Sequence, residues 1–259
     1  MAGIGDEGRD EGGSAEGSRG EAPRIAGRFE VLGNLGEGPL GKVYHVRDHR
    51  TGGREVALKI LRATTSSEPG VEDLVAEHVE RLQTLAHENL TTLRDAGLTE
   101  LGLFFLSSDY VKGENLRALM DRRGALVPEQ AFAIARQALA GLEQGHRRGL
   151  CHGHLKPENV LLVDRTPSTA ENPHGVGVRV LDFGFAEIAA RLSLVTGMGA
   201  VVFLAPEQRD GAPADARSDV WALGAMLYEM LTGNRPGPDA PESLDEGVSM
   251  DEPTREIVA

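Results

Sequence analysis

Three glycines, Gly36, Gly38 and Gly41, stand between two stretches rich in strand-forming residues, Phe29–Leu35 and Lys42–Asp48, and no other feature limits the fold as much. Glycine at that spacing allows a sharp antiparallel return, and it lets backbone N–H groups approach an anion that any Cβ would hold off. As a bare turn in a hairpin the pattern needs no ligand. A Thr51-Gly52-Gly53 turn then leads to a third strand, Glu55–Leu61, which carries Val56-Ala57-Leu58-Lys59. An edge-strand lysine alone would be ordinary; after a glycine-rich return it becomes a candidate phosphate partner.

The remaining periodicities give an α+β chain in two lobes. Val71–Leu85 has Leu74, Val75, Val79, Leu82 and Leu85 at helical spacing, and strands are expected near Leu93–Leu98 and Leu103–Ser107. Residues 28–110 thus read as a small antiparallel lobe with one helix. From residue 111 to 236 the pattern is mainly helical. Pro128–Arg148 puts Ala131, Ile134, Ala135, Ala138, Leu139 and Leu142 on one face, with Pro128 suited to a first turn. Short strands at Val160–Val163 and Val178–Leu181 flank a polar excursion over residues 164–177. Ser218 is placed to cap a helix over Asp219–Leu231 that Gly233 closes.

The net charge of −13 invites a reading about partners, but its location weakens it. Residues 1–22 hold six acidic and two basic side chains, net −4, and residues 237–259 hold seven and one, net −6, which leaves −3 for the body. Residues 1–27 form an acidic, Gly-rich leader expected to be disordered, and residues 237–259 an acidic irregular tail. The body has no cluster of Lys and Arg, which argues against nucleic acid as a partner. A single cysteine excludes an internal disulfide and fits a reducing, cytoplasmic compartment. No run of eighteen apolar residues and no apolar leader occur, so no membrane contact is expected of this segment.

The polar motifs of the second lobe specify more. Cys151 to Leu162 reads C-H-G-H-L-K-P-E-N-V-L-L; Asp182-Phe183-Gly184 lies 23 residues after Asn159, and Ala205-Pro206-Glu207 begins 23 residues after Asp182. Together with the glycine pattern and Val56-Ala57-Leu58-Lys59, this order resembles the protein kinase superfamily, and the phrasing is closest to bacterial Ser/Thr kinases. The resemblance runs from Gly36 to about Pro236 and implies a two-lobed kinase-like fold with ATP and Mg²⁺ as cofactors.

Under that resemblance Gly36, Gly38 and Gly41 would cover the phosphates and Lys59 would hold them. Val43, Ala57 and Leu161 would sandwich the adenine, and Asp109 and Val111 would present hinge backbone to it, with Ser108 at the gatekeeper position. Asn159 and Asp182 would hold the metal, since Mg²⁺ takes hard oxygen donors beside the phosphates. His152, Phe183 and Leu82 would form a spine between the lobes, and Asp219 would bond the backbone of the His152 loop.

Four positions depart from the family pattern. His154 stands where the family has the Asp that accepts the substrate hydroxyl's proton, next to Lys156, which is in register. A general base contributes about 10²–10⁴ in rate. Imidazole can act as one, although a charged ring beside a metal would oppose transfer. Gly153 replaces the Arg that receives an activation-loop phosphate, so phosphorylation at Ser193 or Thr196 would lack its receptor. His78 occupies the position of the Glu that partners Lys59, with Glu77 one residue away. Ala200 replaces a Thr hydroxyl near the substrate strip.

A large lobe also continues through further helices in this family, whereas about 23 acidic residues follow Pro236, so the chain is expected to be truncated or part of a longer protein. Glu207 would then lack its usual Arg partner. These features imply a pseudokinase that binds ATP and acts through a protein partner. The alternatives are an active Ser/Thr kinase with a protein substrate and, from the His152-Gly153 opening of the loop, a small-molecule phosphotransferase.

Overall fold

A computed structural model describes residues 24–38, 40–64, 71–164, 175–192 and 198–237. The first lobe is a six-stranded antiparallel sheet in the order β1-β2-β3-β4-β6-β5. Its strands are β1 (Arg24–Ile25), β2 (Phe29–Gly38), β3 (Gly41–Asp48), β4 (Arg54–Thr64), β5 (Leu93–Leu98) and β6 (Leu103–Asp109). Helix α1 (Val71–Gln83) packs against β5. The sheet begins at Arg24, inside the stretch expected to be disordered. Arg28 explains this: it clamps Asp48 through two hydrogen bonds of 2.6 Å and reaches Asp95 at 2.5 Å, which ties the entry of the chain to β3 and β5. Met1–Pro23 and the 238–259 part of the tail lie outside the described residues.

The core is divided. Phe29, Val46, Val56, Leu58 and Phe105 form a small cluster on one face of the sheet, with the Phe29 and Phe105 rings edge to face at 5.2 Å. The larger cluster starts at Leu61 and Val75, passes through Leu82, Leu106 and Phe183, and continues into the helices of the second lobe. One apolar body therefore joins the lobes, and the groove between them opens on its polar edge.

In the second lobe β7 (Glu114–Asn115), β8 (Val160–Asp164) and β9 (Val176–Val180) form a small sheet. The helices are α2 (Leu116–Arg123), α3 (Pro128–His146), α4 (Phe185–Arg191), α5 (Pro206–Arg209) and α6 (Ala216–Thr232). Helix α3 buries Ala131, Ile134, Ala135, Ala138 and Leu142 as expected, but Leu139 is 44% exposed because it sits at the edge of the apolar stripe. The cap of α6 is Asp215, three residues before the expected Ser218. The Asp215 carboxylate accepts from the N–H groups of Arg217 (2.7 Å) and Ser218 (3.3 Å), while Ser218 Oγ accepts from Asp215 N–H. Gly233, at φ 71°, ends the helix as predicted. Helix α4 was not anticipated, although Ile188 and Ala189 with the i, i+4 pair Glu187–Arg191 form a readable amphipathic turn.

Candidate functional site

The roof is a hairpin longer than the sequence suggests. Strand pairing continues through the glycines, with Gly36 opposite Val43, Glu37 opposite Lys42 and Gly38 opposite Gly41. The three glycines are not equivalent. A Cβ on Gly41 would lie 1.9 Å from Ile60 O, so packing alone forbids a side chain there. At Gly36 and Gly38 a Cβ would meet nothing within 4 Å. Their bare backbone faces open space, as a phosphate cradle requires.

Registers then place the lysine. Val43 of β3 and Leu106 of β6 pair with Lys59 on either side, and Ala57, two residues back on the same face, lies opposite Ser108. Ser108 lines a small pocket together with Lys59, Leu82, Asp182 and Phe183, whereas Ser107 is buried and bonds Asp95 O. The hinge follows. The Asp109 carboxylate is gripped by Arg94 at 2.6 and 2.7 Å, and Tyr110 stacks on His45 at 3.8 Å. Val111 N–H makes no hydrogen bond among the described residues, which leaves a donor free for a ligand. Leu161, on β8, packs beneath Gly113, where a Cβ would come within 2.9 Å of Leu161 Cγ.

Asp219 holds the floor in place. Its buried carboxylate accepts from His152 N (2.7 Å) and Gly153 N (2.8 Å), and His146 Nε2 lies 2.8 Å away. His152 Nε2 donates to Leu181 O at 2.9 Å and its ring meets Phe183 edge to face at 5.8 Å. Burial lowers the His152 pKa, so the ring is neutral. Asn159 donates from Nδ2 to His154 O at 3.1 Å, and its Oδ1 accepts no bond among the described residues. Asp182, at φ 56°, forms an ion pair with Lys59. Burial opposes its ionisation, yet the Lys59 ammonium holds it below the usual carboxylate range. A free amide oxygen and a carboxylate beside a phosphate cradle are a donor set that fits Mg²⁺ with bridging phosphates.

The His154 imidazole is half-buried and makes no hydrogen bond or ion pair among the described residues. Its pKa is pushed down to about 4, first by burial and then by the positive charges of Lys156 and Lys59. The ring is therefore neutral at pH 7, and the positive charge that the sequence allowed at this position is absent.

The helix α1 position is also decided. His78 faces inward, 2% exposed, and Glu77 is exposed. His78 does not pair with Lys59; its Nε2 lies 3.0 Å from Gly184 O and its Nδ1 3.2 Å from Glu187 Oε2. Lys59 is instead paired with Asp182, and the ring of Phe185 lies 4.2 Å from its ammonium. Gly153, at φ 76°, is enclosed: a Cβ there would lie 2.9 Å from Ala186 Cβ. Glu207 accepts a hydrogen bond from Ser218 Oγ at 2.8 Å in place of the usual Arg. Ser193, Thr196 and the side chain of Ala200 lie outside the described residues. Sequence reading missed Phe185, Glu187 and Gln208, whose Nε2 donates to Gly153 O at 2.8 Å.

Residues 29–256 match the family model for the protein kinase domain. The chain is 32% identical over 252 residues to serine/threonine-protein kinase PknB of Mycobacterium leprae, covering 88% of this chain and 39% of that protein. It is 33% identical over 224 residues to the probable serine/threonine-protein kinase SCO3848 of Streptomyces coelicolor, covering 83% and 32%. The chain thus spans well under half the length of these relatives. Among solved structures, the PknI kinase domain of Mycobacterium tuberculosis, in a double-mutant form, superposes with a TM-score of 0.67 at 25% identity over 85% of this chain and 80% of that one.

Proposed function

The chain belongs to the protein kinase family, and from that premise we propose that it is a nucleotide-binding pseudokinase: it holds ATP, with Mg²⁺, and acts mainly through a protein partner. One observation carries the proposal. Backbone at Gly36, Gly38 and Val111 is open towards the groove with Lys59, Asp182 and Asn159 gathered beside it, while the position that should accept a hydroxyl proton holds a neutral imidazole with no hydrogen-bonded partner among the described residues to orient it. Gly36 and Gly38 leave backbone room for phosphates, Val111 N–H is free for the adenine edge, and Val43 and Ala57 share the face of Lys59. Asn159 and Asp182 would hold the metal, which neutralises phosphate charge when bound. Lys59 and Lys156 contribute positive charge of their own.

A second reading has a specific observation in its favour. His154 has free ring nitrogens and, with a pKa of about 4, is as weak a base as a carboxylate. Phosphoryl transfer depends chiefly on positioning and charge, so slow transfer to a protein Ser or Thr is compatible with this site.

Two measurements separate the readings. Thermal unfolding with ATP and Mg²⁺ should give a raised midpoint, because a ligand that binds only the folded state stabilises it; an unchanged midpoint at millimolar nucleotide sinks the proposal. Transfer from labelled ATP should be near background in the wild type. Robust transfer that is lost in Lys59→Met would make the chain an active kinase.

A further inference from the structure

Of the histidines in the floor, His154 is the one that the scaffold leaves unused. His146 Nε2 lies 2.8 Å from Asp219 Oδ2. His152 has both nitrogens engaged, Nε2 with Leu181 O at 2.9 Å and Nδ1 as acceptor from His154 N–H at 3.3 Å. Elsewhere His45 and His49 meet Glu55 and Glu30 at 2.8 Å, His78 meets Gly184 O, and His87 Nδ1 accepts from Asn89 N–H. Among the described histidines, His154 alone has neither ring nitrogen in a hydrogen bond. Neither nitrogen is sealed from solvent. A histidine kept for packing would be hydrogen-bonded inside the core, as His152 is.

The backbone that carries this ring is, by contrast, pinned from several sides. Asp219 accepts from His152 N and Gly153 N, and Gln208 Nε2 donates to Gly153 O at 2.8 Å. His154 N–H is held by His152 Nδ1, and His154 O accepts from Asn159 Nδ2 at 3.1 Å. A fixed backbone with an uncommitted ring is a way to present a reacting atom. Lys156 and Lys59 are the cations whose fields reach the ring, and Asp182, the carboxylate that also acts on it, is paired with Lys59.

Chemistry then distinguishes two uses of such a ring. A hydroxyl that attacks phosphorus has to lose a proton and calls for a base. A neutral imidazole attacks with its lone pair and calls for none, so the missing carboxylate at 154 removes nothing that this nucleophile requires. Even an unperturbed histidine is mostly neutral above about pH 7. Its Nε2 stands one bond further from the backbone than an aspartate oxygen, in the space that a substrate hydroxyl would otherwise take.

We infer that His154 is itself a phosphoryl acceptor, whose Nε2 takes the γ-phosphoryl group of a nucleoside triphosphate. The Nε2 lone pair forms the N–P bond while the bond from phosphorus to the β,γ-bridging oxygen breaks, and that electron pair leaves on the nucleoside diphosphate. The ring keeps its Nδ1–H, and the phosphoryl oxygens offset its positive charge, so no proton is removed. The inference rests on the nucleotide-binding reading and adds to it a stoichiometric transfer onto the chain itself, distinct from turnover onto Ser or Thr of another protein. The product puts negative charge where the carboxylate is missing, within the field of Lys156.

The test incubates the chain with ATP labelled in its γ-phosphate and quenches in alkali, because a phosphoramidate survives base and is cleaved by acid, whereas Ser and Thr phosphoesters survive acid. Wild type should take up acid-labile label, at most one group per chain, and mass spectrometry should map it to the peptide that holds His154. His154→Asn should lose at least about tenfold of that label. His49→Gln, at the end of β3 opposite the glycines, should keep it. Calorimetric ATP affinity in His154→Asn should stay within about twofold of wild type. ATP binding without acid-labile label overturns the acceptor and leaves the nucleotide reading standing; no ATP binding by wild type overturns both. Label that persists in His154→Asn, or maps to another peptide, overturns the assignment. If circular dichroism shows that His154→Asn has failed to fold, His154→Gln takes its place with the same loss expected, and if that also fails the map of the wild-type label decides.

Discussion

The roof of the groove and its floor follow the family pattern to different degrees. In the roof, the glycine hairpin, Lys59 and the hinge are backbone-defined: pairing of β2 with β3 and of β4 with β6 sets the strand positions, and Gly36 and Gly38 face open space. Along the floor and its rim the corresponding positions hold His154, Gly153 and His78, and each has lost a charged side chain that the family resemblance leads one to expect. The difference teaches where a nucleotide site tolerates change. Strand register fixes the roof whatever the chemistry, whereas transfer chemistry depends on individual side chains on the floor.

The floor's own scaffold is nevertheless intact, and breaking it gives the largest effect. Asp219→Ala removes an acceptor from two buried backbone N–H groups and from His146, so unfolding free energy should fall by about 3 kcal/mol, read by urea denaturation. A loss below about 1 kcal/mol would mean that the loop has another support. Next, His154→Asp restores the expected acceptor, and transfer from labelled ATP should rise by up to about 10² if the base is the chief deficit. No rise would mean that the missing carboxylate at 154 is not the chief deficit.

Smaller effects test the roof. Lys59→Met should weaken ATP binding by about tenfold in calorimetry, through loss of one charge-assisted contact. Adenosine affinity should hold, and a loss of equal size for adenosine would show that Lys59 acts through the fold. The smallest effect is one of pH. His154 has a pKa of about 4 in the folded chain against an ordinary value of 6.5, so its neutral form favours folding above 6.5 and that contribution drains away as pH falls from 6.5 towards 4. In His154→Asn the stability curve over that window should be flatter than in the wild type; parallel curves would mean that the ring is freely solvated.

Much of the fold was legible because it rests on local rules. The alternation in β3 and β4, the apolar stripe of α3 and the glycine at the end of α6 each predict their element. Boundaries moved where a side chain reached outside its own element: Arg28 drew Arg24 and Ile25 into the sheet, and Asp215 took the cap from Ser218. At the site, motif order named Lys59, Asn159 and Asp182, and the structure adds how they are disposed, with Lys59 and Asp182 joined and the Asn159 oxygen unengaged.

By itself the sequence determined the family, the two-lobed α+β plan and the identity of the groups around the groove, because spacing along a strand or loop is a property of the chain. It also determined that carboxylates are missing at 154 and 78. Only the tertiary structure decided what fills those absences. Whether His78 or Glu77 faces inward depends on the rotation of α1 against β5 and α4, and whether His154 is charged depends on its burial and on the cations around it. That Gly153 and His78 meet one helix segment, and that this helix brings Phe185 over Lys59, depends in part on pairs such as His78–Gly184 and Lys59–Phe185, more than a hundred positions apart. Such contacts are set by packing between lobes, on which local sequence rules are silent.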